Sequence, residues 1–247
     1  MEAFRTMWKI EWRLSLRDMN MVLFAIIMPL IVLLIQGFVY GSKEAFAGAG
    51  YSAIDQSFSA LCTISICAGS MMGLPILVSD YRERKILKRF KVTPMCPLGI
   101  LLVHLSIYVV YSIISMISLW AVTAIFFGFR MRGNVLWFLA GWILVSFCML
   151  SIGMFVGGVA KNSQQASLIA CILYFPMLIF SGATLPYEVM PGILQRLSDI
   201  MPLTQAIKLL KSLSLALPLD GMLVPMIVMA VLGTVFTVLS VKLFRWE

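Results

Sequence analysis

The chain has 247 residues, of which 61% are hydrophobic and only 12% charged, with a formal net charge of +8. That composition excludes both an ordinary water-soluble domain and a disordered one, and it indicates an integral membrane protein. A hydrocarbon core about 30 Å thick needs roughly 20 apolar residues of helix, so apolar runs of that length define the architecture.

The first element, Glu2–Asp18, is too polar to span. On a helical wheel Phe4, Met7, Trp8, Ile10, Trp12, Leu14 and Leu16 share a broad apolar face, opposite Arg5, Lys9, Arg13 and Arg17. The pattern predicts an interfacial helix within residues 1–19, lying along the cytoplasmic leaflet with Trp8 and Trp12 at headgroup depth. Glu11 falls on the apolar face and interrupts it. Because the stretch is amphipathic, not a short basic region before an apolar core, no cleavable signal peptide is expected.

Six apolar runs follow: Met21–Tyr40, Phe58–Val78, Leu98–Phe127, Val135–Val159, Ser167–Ser181 and Met222–Leu243. Their lack of period-2 alternation argues against a β-barrel, so the expected fold is all-α, a single domain over 1–247 with six transmembrane helices. Pro29, Pro75, Pro176 and Pro225 are each expected to kink or loosen a span. Gly37/Gly41, Gly69/Gly73 and Gly153/Gly157 are spaced to let helices approach closely, within the chain or across a dimer. The third run would extend about 45 Å as a helix and should emerge from the bilayer.

Two connecting segments are not plain loops. Residues 79–94 should continue the second span as a charged helix with a small apolar ridge of Ile86, Leu87 and Phe90, ended by Thr93-Pro94. An apolar ridge on a charged helix fits docking into a protein groove. Residues 182–221 carry two helical stripes, Ile193, Leu194, Leu197, Ile200 and Met201, then Leu203, Ala206, Ile207, Leu210, Leu213 and Leu217. They predict two short amphipathic helices packed on, or dipping into, the outer leaflet.

Placing the N-terminus inside puts thirteen of the nineteen Lys and Arg residues on the cytoplasmic side and six outside. Both termini are therefore expected in the cytoplasm. The positive charge reads as topology and contact with anionic lipid, with no nucleic-acid partner.

No Asp, Glu, Lys or Arg lies at depth in the spans, and His104 is the sole histidine. An ion-coupled carrier usually keeps ionisable groups there, which leaves that class with His104 as its one titratable candidate. Cys62, Cys67, Cys96, Cys148 and Cys171 show neither C-x-x-C nor zinc spacing and read as free packed thiols. The sequence contains no H-E-x-x-H. The nearest approach to a phosphate-binding loop, Gly157-Gly158-Val159-Ala160-Lys161-Asn162-Ser163, misplaces the lysine. No catalytic, cofactor or metal residues are expected in this chain.

Three stretches carry a family resemblance. Tyr81-Arg82-Glu83-Arg84 is followed by Phe90-Lys91-Val92-Thr93-Pro94 and Pro97-Leu98-Gly99-Ile100-Leu101-Leu102. Phe180 through Pro191 forms the second, and Leu197 through Met201-Pro202-Leu203-Thr204-Gln205-Ala206 the third. In order and spacing they resemble the permease subunits of ABC-2 type transporters. The chain departs from that pattern at Lys85-Ile86, where members often carry Gly-Thr, and this bears on which ATPase accepts the loop.

The resemblance implies a plasma-membrane exporter subunit moving a hydrophobic or amphipathic substrate such as a drug, antibiotic peptide or lipid. It implies a cytoplasmic coupling helix at 79–94, with Tyr81, Arg82, Glu83, Arg84, Ile86, Leu87 and Phe90 contacting a separate ATP-binding subunit. That partner would hold ATP and magnesium, and a second permease subunit would complete the assembly. A non-transporting immunity or structural subunit is the other alternative, alongside the ion-coupled carrier.

Overall fold

The computed structural model of the protein describes residues 2–17, 19–41, 43–45, 50–86, 97–182, 187, 190–217 and 221–243. Helix α1 (Glu2–Arg17) precedes six helices long and apolar enough to cross a membrane. These are α2 (Leu23–Tyr40), α3 (Ala53–Glu83), α4 (Pro97–Phe127), α5 (Val135–Val159), α6 (Ser163–Phe180) and, after two short helices, α9 (Leu223–Leu243). The short helices are α7 (Gly192–Ile200) and α8 (Pro202–Leu215). Among the described residues there is no strand beyond one isolated bridge, Glu44 to Ser52. The protein is an all-helical, multi-pass membrane protein.

Alternating spans give the bundle two ends. The near end carries α1, the end of α3 and the α5–α6 turn; the far end carries residues 128–134, α7 and α8. Helix α3 starts at Ala53, ahead of its apolar run, because Ser52 and Asp55 form a capping box: the Asp55 amide donates to Ser52 Oγ (3.2 Å) and the Ser52 amide to Asp55 Oδ2 (2.9 Å). Helix α6 likewise starts early, at an Asn162 cap that accepts from the Gln165 amide at 2.7 Å.

Helix α3 is the axis. In its most apolar stretch 67% of residues are buried, against 22% in α2 and α9 and 17% in α6. Helix α5 closes on it through glycine. A Cβ at Gly153 would overlap the Ser70 carbonyl, and one at Gly157 would stand 2.9 Å from Val78 Cβ and 3.0 Å from Pro75 Cα. Gly37 similarly admits the Phe127 ring, and Gly73 the Tyr108 ring. These glycines close helix contacts within one chain, so they are not needed as evidence for a dimer. Gly41, at φ +56°, instead ends α2.

The second short helix is packed inside the bundle: every residue of α8 from Leu203 to Leu215 except Lys208 is buried against α3, α5 and α9. Its Ser214 Oγ lies 2.6 Å from Ser59 Oγ of α3. Helix α7 does present Ile193, Leu197 and Ile200 outward. Pro225 kinks nothing, because it sits in the first turn of α9, where no intrahelical donor is lost. Cys62, Cys67 and Cys148 are buried free thiols and Cys171 is half-buried, while Cys96 lies outside the described residues.

Candidate functional site

At the near end, the last turn of α3 ties three elements together. Arg82 Nη1 donates to the carbonyls of Gly158 (2.8 Å), Ala160 (2.9 Å) and Gly157 (3.3 Å), at the C-terminus of α5. The next residue, Glu83, accepts through Oε2 from the Ser163 amide (3.1 Å) and hydroxyl (3.2 Å), at the N-terminus of α6. A cation therefore meets the negative end of one helix and a carboxylate the positive end of the next. Together they clasp the α5–α6 turn to the end of α3. Arg84 pairs with Asp80 (Nε–Oδ1 2.9 Å) in an exposed i,i+4 contact of small energetic weight.

The seven residues expected to contact an ATPase thus differ in placement. Tyr81 bonds within the chain, Arg82 and Glu83 form the clasp, Arg84 is exposed, and Ile86 is half-buried. Lys85 adopts the left-handed conformation at φ 55°, just past the end of α3. Leu87 and Phe90, the rest of the ridge, lie outside the described residues.

Helix α1 packs against α4 instead of resting on a leaflet alone. Its inward face is Met7, Trp8, Glu11, Trp12 and Ser15, spaced i, i+1, i+4, i+5, i+8. Trp8 Nε1 donates to Ser106 Oγ (3.0 Å), and Ser15 Oγ to the Tyr111 hydroxyl oxygen (3.1 Å). Trp8 stacks on Trp12, and Trp12 lies 5.4 Å from the Tyr111 ring. The half-buried tryptophans pack against α4, and Ile10 and Leu14 form the exposed apolar margin. Arg5, Lys9, Arg13 and Arg17 remain exposed.

Glu11, which breaks the apolar pattern in the sequence, is the centre of this contact. The Tyr81 hydroxyl donates to both its oxygens (3.1 and 3.2 Å), and His104 Nε2 lies 3.8 Å from Oε2. Burial raises the Glu11 carboxyl above its ordinary value, and the Tyr81 hydrogen bond partly opposes that. His104, 3% exposed, is packed within the protein with its ring edge-on to Tyr81 at 5.1 Å.

Beside the clasp lies a cleft of about 520 Å³. Its body is apolar, built from Phe24, Met72, Ile76 and Leu77, and its near-end mouth carries Asp80, Tyr81 and Ser163. Two π-helical turns, Leu23–Ile27 in α2 and Gly69–Gly73 in α3, both line it. Each is followed by a proline, Pro29 or Pro75, at the start of the resumed α-helix. Pro29 has no amide hydrogen to offer the carbonyl of Ala25, and Ser65 Oγ of α3 donates to that carbonyl instead (2.6 Å). The expected proline irregularities therefore exist in α2 and α3, as widened turns facing a cavity.

Comparisons with known proteins follow this geometry. A family model described as ABC-2 type transporter matches residues 2–215. The chain is 28% identical over 133 residues to the inner membrane transport permease YhhJ of Escherichia coli (strain K12), a match covering 53% of this chain and 36% of the relative. The protein of the same name from Shigella flexneri matches to the same extent. Nodulation protein J of Sinorhizobium fredii is 29% identical over 118 residues, 48% of this chain and 45% of that protein. The matched part is under half the length of each relative.

Proposed function

The chain belongs to the ABC-2 type transporter family, and from that premise we propose that it is the membrane subunit of an ATP-driven exporter of hydrophobic or amphipathic molecules. A separate ATP-binding subunit hydrolyses ATP with magnesium, and a second permease subunit completes the complex. The chain sits in the plasma membrane with both termini cytoplasmic, so the near end faces the ATPase.

The observation that carries the reading is the adjacency of clasp and cleft. Asp80 and Tyr81 line the cleft mouth, and Arg82 and Glu83, next in sequence, grip the α5–α6 turn. A push on the segment after α3 is thereby delivered to α3, which walls the cavity, and to the α5–α6 turn, whose Ser163 lines its mouth. An apolar body with a polar mouth suits a molecule that enters from the inner leaflet with its polar group toward the cytoplasm. The clasp is a positioning device and touches no substrate.

Filling the cleft tests this. Met72→Trp, in the complex with its ATPase, should abolish substrate-stimulated ATP hydrolysis while basal hydrolysis persists. Unchanged transport by a folded Met72→Trp complex would contradict the assignment of the cleft.

A further inference from the structure

A second groove, of about 450 Å³, lies at the far end between α4 and α5. Its floor is aromatic: Phe58 of α3 lies 5.9 Å from the Phe138 ring and 4.8 Å from that of Phe129. Its rims, Ile117 and Trp120 on α4 and Val135 on α5, are each more than half exposed. From Phe127 down to Met116 at its base the α4 wall descends about 16 Å, close to the hydrocarbon depth of one leaflet. Arg130 stands at the upper end.

The state of that arginine gives the groove meaning. Three other cations of the far end are engaged: Arg132 donates to the Gly50 carbonyl (2.8 Å), Lys208 pairs with Asp199 (2.6 Å), and Lys211 lies over the Tyr51 ring, while the exposed Lys43 and Arg196 do not line the groove. Arg130 is exposed and makes no hydrogen bond or ion pair among the described residues. An apolar slot open to the bilayer has no polar partners to hold water, so a hydrocarbon chain fills it. A guanidinium at its mouth matches a phosphate in charge and geometry, and Trp120 sits on the rim toward the headgroup level.

We propose that this groove binds one glycerophospholipid, an acyl chain lying along Phe58 and Phe138 and the phosphate held by Arg130. A second copy of the chain fits less well. It would have to bring a carboxylate to Arg130, yet among the described far-end carboxylates Asp199 is already bonded to Lys208 and Tyr187, Asp55 is occupied in its capping box, and Glu44 has a partner of its own. The proposal does not depend on the transport reading, because it concerns a surface remote from the clasp.

The test uses the full chain in phosphatidylcholine vesicles doped with either of two photoreactive probes: a phosphatidic acid, or a diacylglycerol with the same chains. Phosphatidic acid should label peptides containing Ile117–Trp120 and Val135–Leu139. Diacylglycerol should label them about tenfold less, the worth of one charge-assisted contact. Arg130→Gln should bring phosphatidic acid down to the diacylglycerol level, Arg196→Gln on α7 should leave it unchanged, and Ile117→Trp should block both probes. Equal labelling by the two probes on the native chain overturns the proposal without any variant. So does equal behaviour of the two arginine variants, or an Ile117→Cys chain that crosslinks to its own copy while the groove takes no lipid.

Discussion

Arg82→Gln is the sharpest perturbation of the clasp. The guanidinium Nη1 serves three carbonyls at the end of α5, two of them at 2.8 and 2.9 Å. A hydrogen bond to a charged group is worth about 1.5–3 kcal/mol net, and a cation at a half-buried helix C-terminus adds up to ~2 kcal/mol. One nitrogen shared among three acceptors does not collect the full sum, and glutamine recovers one bond. The expected loss is on the order of 2 kcal/mol, roughly a thirtyfold shift in an equilibrium constant. A domain stable by about 5–15 kcal/mol tolerates that, so the variant should fold, with a lowered melting temperature. In the reconstituted complex ATP hydrolysis should persist while transport per ATP falls, because the push on α3 no longer reaches the α5–α6 turn. Arg82→Lys, which keeps the charge but not the fork, should fall between. If Arg82→Gln melts like the native chain and keeps its transport-to-hydrolysis ratio, the clasp transmits nothing.

Three further outcomes follow from the same contacts. Ser65→Ala leaves the Ala25 carbonyl without a donor and should cost about 1–3 kcal/mol in thermal unfolding; adding Pro29→Ala restores an amide hydrogen at that position and should recover part of the loss. Gly157→Leu should force α5 off Pro75 and Val78 and destabilise by about 1–3 kcal/mol or more, whereas Gly69→Ala, whose Cβ meets Tyr108 at 3.6 Å and Met21 at 3.9 Å, both ordinary contacts, should be tolerated in the same assay. Because burial raises the Glu11 carboxyl, docking of α1 favours the protonated form. That stabilisation is complete below the ordinary value of 4.5 and fades as pH rises through the raised one. Protection of residues 2–17 from hydrogen exchange, corrected for the intrinsic rise of exchange with pH, should therefore fall over that window, and Glu11→Gln should flatten that fall.

Apolar runs of bilayer length specify the six spans directly, and the ends that move are set by caps such as Ser52–Asp55 and Asn162. What the sequence conceals is which solvent a face meets. One wheel position distinguishes apolar from polar, but α1 has three environments, protein, lipid and water, and Glu11 belongs to the first. In α8 the lysines Lys208 and Lys211 suggest a surface helix, yet Lys211 is buried over Tyr51 while Lys208 reaches Asp199. Arg82 and Glu83 read as charges offered to a partner. Within the chain they also bond groups about 75–80 residues further along, the Gly157, Gly158 and Ala160 carbonyls and the Ser163 amide and hydroxyl, at helix termini far from them in sequence. The cleft was not legible at all, since Pro29 and Pro75 announce irregularity without saying that both irregular turns face the same space.

On the proposed reading, ATP hydrolysed by a partner subunit drives transport by pushing on the near end. The most direct test is reconstitution of this chain with its ATP-binding partner in vesicles, with ATP and the proton and sodium gradients varied separately. Transport should require ATP, should survive collapse of both gradients and replacement of His104 by Gln, and should stop when the partner's phosphate-binding lysine is replaced. Transport by this chain alone, driven by a gradient and abolished by His104→Gln, would contradict the account.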